Sequence, residues 1–337
     1  MIQRHRWMAA FLEQAQFFKW IGLEFLQVAV HTARVPQGAA LPVRFRKREN
    51  YTTMKPLLSL LFAASFWGVV WYPLRLLQDA GLNGAWQMLV AYGSAFSVLA
   101  LLRWPGIAGM QGQWGKLALM AVAAGWTNVG FVLAMLDGSV ARALILFYIS
   151  PLWTVLLGHF FLHERLRPAT LLTLPLGMMG AILMVWQPQV SMASLNRADL
   201  YAASAGLAFA VTNVITRDLQ HLGTRQKTLV SWFGVICVAG FMLLLGGEPF
   251  PQVALSVWLG NILLGGVGFL VTTLAVIYGI SRMPVQRSAV ILLFEILVGA
   301  LSAWWLAGEN LRMLEWLGGG LIILAGLIAI THEDIHD

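Results

Sequence analysis

Charge is what this 337-residue sequence has least of: Asp, Glu, Lys and Arg make up 11% of it, against roughly 25% in an ordinary soluble domain. A soluble fold of this length needs a polar face on nearly every helix, and the residues for it are missing. Cysteine is scarcer still. Cys237 stands alone in an apolar stretch, which excludes a disulfide framework and a cysteine-based metal site. What is abundant is apolar: 59% of residues are hydrophobic and the mean hydropathy is +0.74. Lipid must therefore solvate most of the surface. A soluble enzyme, a nucleic-acid binder and a secreted scaffold are excluded on that ground.

The net charge of +7 would suit a nucleic-acid partner if it were spread over one face, and it is not. Residues 1–50 hold eight basic and three acidic groups, and residues 51–337 hold fourteen and twelve. Most of the excess is thus an N-terminal feature, concentrated in Arg44, Arg46, Lys47 and Arg48 just before the first long apolar stretch. A basic cluster in that position marks the cytoplasmic side of a membrane and touches anionic lipid. The expected macromolecular surroundings are a bilayer, with no nucleic acid.

A spanning helix needs about 20 mostly apolar residues. Ten such stretches are centred near residues 67, 94, 125, 150, 178, 209, 236, 269, 297 and 321. Turn residues separate them, as in Asp79-Ala80-Gly81-Leu82-Asn83-Gly84 and Gly246-Gly247-Glu248-Pro249. Barrel strands are excluded because the runs are too long and do not alternate. With the N-terminus inside, ten Lys and Arg residues from Lys55 onward fall in inside loops, against four (Arg75, Arg142, Arg197, Arg312) at outside ends. Both termini are therefore expected in the cytoplasm.

The chain also repeats itself. A shift of 145 residues sets Val140 on Val285, Arg142 on Arg287, Glu164 on Glu309 and Leu166 on Leu311. The same shift brings Thr127-Asn128 onto Thr272-Thr273, while a shift of 142 sets Arg75 on Arg217. Five spans per unit is an odd number, so the halves insert with opposite orientation. Inverted repeats of this kind are a transporter plan, with a midplane site where the halves meet. The expected fold is all-α and integral to the membrane: ten transmembrane helices as two inverted five-helix repeats around a central cavity. Residues 54–190 and 191–337 form the two repeats.

Ser65-Phe66-Trp67-Gly68 in the first span resembles the first-helix signature of the drug/metabolite transporter superfamily, EamA-type. Pro151, followed by Glu164-Arg165-Leu166, is similar to its fourth helix, and Glu295 with Glu309-Asn310-Leu311 and Gly318-Gly319-Gly320 repeats the form. The resemblance covers about residues 57–331. It implies a ten-helix inner-membrane carrier, often an exporter of amino acids or other small metabolites. It also implies a cavity built mainly from the first, third, fourth, sixth, eighth and ninth helices. Where this family commonly has Pro after the ninth-helix Glu, this chain has Ile296, so the resemblance gives no ground for a kink there.

Residues 1–53 lie outside that match. Trp7, Phe11, Phe18, Ile21, Phe25 and Val28, with Glu13, Lys19 and Glu24 between them, fit an amphipathic helix on the cytoplasmic leaflet. A competing reading has translation begin at Met54. Either way the segment is expected to be dispensable for transport.

Inside the membrane, Glu295 stands out. It lies near mid-depth between Leu293, Phe294, Ile296 and Leu297, where a charged side chain costs about 2.5 kcal/mol or more. Apolar surroundings favour the neutral form of a carboxyl, so Glu295 is the proton-coupling candidate. The competing reading is a permanently protonated residue bonded to a neighbouring helix. Trp67, Trp71, Tyr72, Trp126, Asn128, Tyr148, Trp153, Asn213, Thr272 and Thr273 are the further cavity candidates. Trp126 and Tyr148 would offer ring faces to an organic solute, and Asn128 and Asn213 would bond its polar head. Glu164, Glu309, Arg142 and Arg287 sit at span ends, where structural and snorkelling roles are the expectation. The ladder Ala202, Gly206, Ala210 reads as close helix packing.

Several patterns are decoys. Gly115-Lys116 lacks both the first Gly and the following Ser/Thr of a P-loop. His159 and His163 share a helix face at a span end and read as interface residues rather than metal ligands. The tail His332–Asp337 reads as solvated, and the sequon Asn50-Tyr51-Thr52 falls on the cytoplasmic side. No cofactor, metal or enzymatic centre is expected, because no nucleophile–base set converges at one depth. The leading functional expectation is a secondary-active carrier in a bacterial inner membrane. It would move a small metabolite, amino acids first, outward by alternating access and exchange protons. The alternatives are an uncoupled facilitator and a membrane scaffold or signalling protein.

Overall fold

The computed structural model describes residues 49–137, 140–166, 168–186, 196–308 and 311–331. The expected N-terminal amphipathic helix, the basic run at 44–48, Glu309, Asn310 and the tail from His332 lie outside the described residues, as does the side chain of Arg142. Among the described residues there is no strand. Within the described residues, nine helical stretches are long and apolar enough to cross a membrane: Met54–Asp79, Gly84–Leu102, Trp114–Ala134, Ala143–Leu162, Pro168–Val185, Arg197–Asp218, Thr224–Gly246, Leu255–Ile280 and Val285–Leu306. The shorter apolar helix Met313–Ala329 is the tenth.

Span ends follow from local chemistry. The Asn83 side chain accepts the Trp86 N–H at 3.1 Å and opens the second span. Asn196 and Asp199 bond reciprocally, side chain to backbone, at 3.0 and 2.7 Å and open the sixth. Gly247, with left-handed backbone, ends the seventh. Each device serves helix-terminal backbone groups that have no partner within the helix.

Packing shows the repeat directly. The sixth span packs on the third and fourth, and the first packs on the eighth and ninth. Exchanging the halves, so that each span is replaced by the one five further on, turns one set into the other. The third–seventh and second–eighth contacts exchange in the same way, while the fourth–ninth, fifth–tenth and second–seventh contacts map onto themselves. The halves are related by a pseudo-two-fold, as inverted five-span repeats require. Small residues allow these crossings: a Cβ at Gly234 would collide with the Ala121 carbonyl, and one at Gly265 with that of Ala91. Ala202 and Ala210 are fully buried in the sixth span. Phe66, Tyr92, Trp232 and Phe269 bring the first, second, seventh and eighth spans into one core cluster.

Candidate transport site

Two spans are broken near the middle, at the same register. The fourth is helix Val140–Phe147, a turn at Tyr148 and Ile149, and helix Ser150–Leu162. The ninth is helix Val285–Leu292, a break at Leu293, and helix Phe294–Ser302. A shift of 145 carries the first eight-residue helix onto the other and Tyr148 onto Leu293. In the fourth span Pro151 has no N–H to give the Phe147 carbonyl, so the ladder is interrupted there. In the ninth, Ile296 keeps its N–H but donates it to the Leu293 carbonyl at 3.1 Å, and the Leu293 N–H goes to Val290 at 3.2 Å. Both are tightened three-residue bonds, so the break forms without proline.

The two breaks meet. The Tyr148 hydroxyl donates to Glu295 Oε1 at 3.3 Å, joining the halves through residues beside their interrupted helices. Leu293, Ile296 and Leu297 pack with Ala181, Met184 and Ile322 in one apolar cluster, against which Tyr148 is also packed. A small cavity of about 90 Å³ lies against Tyr148, walled by Ile145, Met178, Ala181 and Ile182 among others. Ser302, on the ninth span, accepts from Trp71 Nε1 at 2.9 Å and donates to the Gly68 carbonyl at 2.9 Å. It ties the first span to the ninth.

The other cavity candidates divide into groups. Asn128 accepts from the Tyr92 hydroxyl at 2.7 Å and donates to the Ala124 carbonyl at 2.9 Å. Trp126 donates its Nε1–H to Ser204 at 3.0 Å and meets Tyr201 edge-on. Thr273 accepts from Trp232 Nε1 at 3.4 Å. In this conformation those polar atoms hold helix to helix. Trp67 lies against Phe269 with ring centroids 5.2 Å apart, and Tyr72 lies edge-on to Trp71. Asn213 and Thr272 are buried, and the Thr272 hydroxyl has no hydrogen-bond partner among the described residues. Trp153 is exposed at 39% and lines neither of the protein's two described cavities. Ser204, Ser302, Tyr92 and Trp232 are partners that sequence reasoning passed over. A lone hydroxyl in an apolar run was the available signal for the two serines.

At one end of the bundle the loops after the fourth, sixth and eighth spans come together. Glu164 Oε2 accepts the Val285 N–H at 3.2 Å and so caps the ninth span, while Oε1 lies 3.5 Å from Arg217 Nε. His163 ends the fourth span with left-handed backbone, and His159 Nδ1 lies 3.0 Å from the Glu164 carbonyl oxygen.

Ten apolar helices in two exchangeable halves, joined at broken spans, define a two-repeat membrane transporter. The chain belongs to the EamA-like transporter family, whose model matches residues 54–186 and again residues 196–331. An uncharacterized transporter of Archaeoglobus fulgidus is 28% identical over 60% of this chain and 72% of its own. A riboflavin transporter of Rhizobium johnstonii is 27% identical over 78% and 85%. A probable amino-acid metabolite efflux pump of Salmonella typhimurium is 27% identical over 52% and 62%. A solved crystal structure shares the fold, with a TM-score of 0.71 over 84% of this chain and 98% of that one at 16% identity.

Proposed function

We propose that this transporter is a secondary carrier of a bacterial inner membrane that moves amino acids or similar small metabolites outward by alternating access. Both termini lie in the cytoplasm, on the Lys and Arg distribution of the loops. The observation that carries the reading is the Tyr148–Glu295 hydrogen bond. A carboxyl at mid-span, on a broken helix, bonded across the two halves, is placed to change partner and protonation when the halves rock. Trp67, Trp71, Tyr72, Trp126, Asn128, Asn213, Thr272 and Thr273 line the path between the halves in the open states, with Trp126 and Tyr148 offering rings to the solute. The amino-acid class is supported by the efflux-pump relative. The riboflavin relative supports a solute with an aromatic system.

Counterflow in proteoliposomes, with a panel of amino acids and with and without a pH gradient, tests this. The expected result is flux that the gradient accelerates and that Glu295→Gln makes insensitive to it. Flux that ignores pH in both proteins would make the chain an uncoupled facilitator, with Glu295 a neutral helix-to-helix bond. No flux for any solute would leave the scaffold reading.

A further inference from the structure

A second cavity, of about 390 Å³, lies away from the Tyr148–Glu295 pair, at the end of the bundle where the fourth and sixth spans finish and the fifth and ninth begin. That volume is in the range of small-molecule sites, about 300–1,000 Å³. Its lining includes Arg165, Arg217 and Arg287, with Glu164 as the single described acidic residue. Pro284 and Val290 add an apolar strip.

Glu164 shows what this wall stabilises. Its carboxylate takes a backbone N–H at the first turn of the ninth span and lies beside the Arg217 guanidinium. A helix N-terminus and an arginine both favour a carboxylate. Arg165, on the same wall, makes no ion pair with a described residue. We propose that this cavity is a solute-entry site that binds the carboxylate of a small organic anion or amino acid. The proposal rests on the carrier reading and adds the substrate's anionic group to it. A solute carboxylate that takes Arg217 competes with Glu164. It thereby loosens the Glu164–Val285 bond, which ties the first half to the second at this end. Binding and opening are coupled by that exchange.

The test uses the full chain in phosphatidylcholine nanodiscs, titrated calorimetrically with benzoate, benzyl alcohol and benzylamine, three probes of one shape and different charge. Benzoate is expected to bind about tenfold or more tighter than the other two. Arg165→Gln and Arg217→Gln are expected to weaken it about tenfold each, and Glu164→Gln to tighten it. Arg217→Gln also removes a contact between the halves. The exposed Arg165→Gln therefore decides, with circular dichroism confirming its helix content. Equal binding of the three probes, or unchanged benzoate affinity in Arg165→Gln, overturns the proposal. So does loss of benzoate binding when phosphatidylglycerol is added, which would assign the wall to lipid headgroups. Amino-acid counterflow without benzoate preference removes the anion site and keeps the carrier. Benzoate binding without flux of any solute removes the carrier and keeps the site.

Discussion

The fourth and ninth spans are the same element built twice, and their difference is instructive. Both break after an eight-residue helix, but only the fourth has a proline to account for it. What they share is a crossing glycine. A Cβ at Gly206 would lie 2.7 Å from the Phe147 carbonyl oxygen, and one at Gly68 the same distance from that of Glu295. The sixth and first spans thus press backbone to backbone on the interrupted segments. The interruption belongs to the packing of the repeat, and proline reinforces it on one side only.

That comparison is broken most severely at the glycines. Gly206→Leu or Gly68→Leu puts a side chain where a carbonyl already sits, costing about 3 kcal/mol or more. The expected result is loss of the monodisperse peak in size-exclusion chromatography for both, and two intact peaks would disprove the shared contact.

Next in size is the bond between the breaks. Tyr148→Phe removes a hydrogen bond from a carboxyl partner, worth about 1–3 kcal/mol, and should lower the melting temperature in detergent. With Glu295→Gln the two losses should sum to less than their parts, because they remove one interaction. Strict additivity in the melting data would mean that the two residues act separately.

Ile296→Pro sharpens the comparison by giving the ninth span the residue the family commonly has there. It forfeits one N–H···O bond to Leu293, about 1 kcal/mol, whereas Pro in an unbroken helix costs about 3 kcal/mol. A melting temperature lowered as far as by a proline placed at Leu156, inside the continuous helix Ser150–Leu162, would show that the ninth span is not truly interrupted. The smallest effect belongs to Trp153, exposed on the fourth span. Trp153→Leu should change stability by no more than about 0.5 kcal/mol and leave counterflow unaltered.

Much of this was legible in the sequence, and the remainder was not for a definite reason. The 145-residue shift that aligned Val140 with Val285 also aligns the two short helices, since a repeat in sequence is a repeat in backbone. Pro151, which carries part of the family resemblance, stands at one break. The other was hidden, because Ile296 carries an N–H and nothing local says it will bond three residues back rather than four. Tyr148 was singled out for its ring, and its hydroxyl proved to be the group that meets Glu295. Glu164 was expected to be structural, but its partners Val285 and Arg217 lie 121 and 53 residues away along the chain.

By itself the sequence determined the solvent, the number of spans, their inverted pairing and the presence of a carboxylate at mid-depth. These follow from sums over local windows: hydropathy, charge and self-similarity. Only the tertiary structure decided which groups meet. Tyr92 reaches Asn128 across 36 residues and Trp71 reaches Ser302 across 231. Such partnerships depend on the rotation and depth of whole helices, which many small packing contacts set together and no local window records.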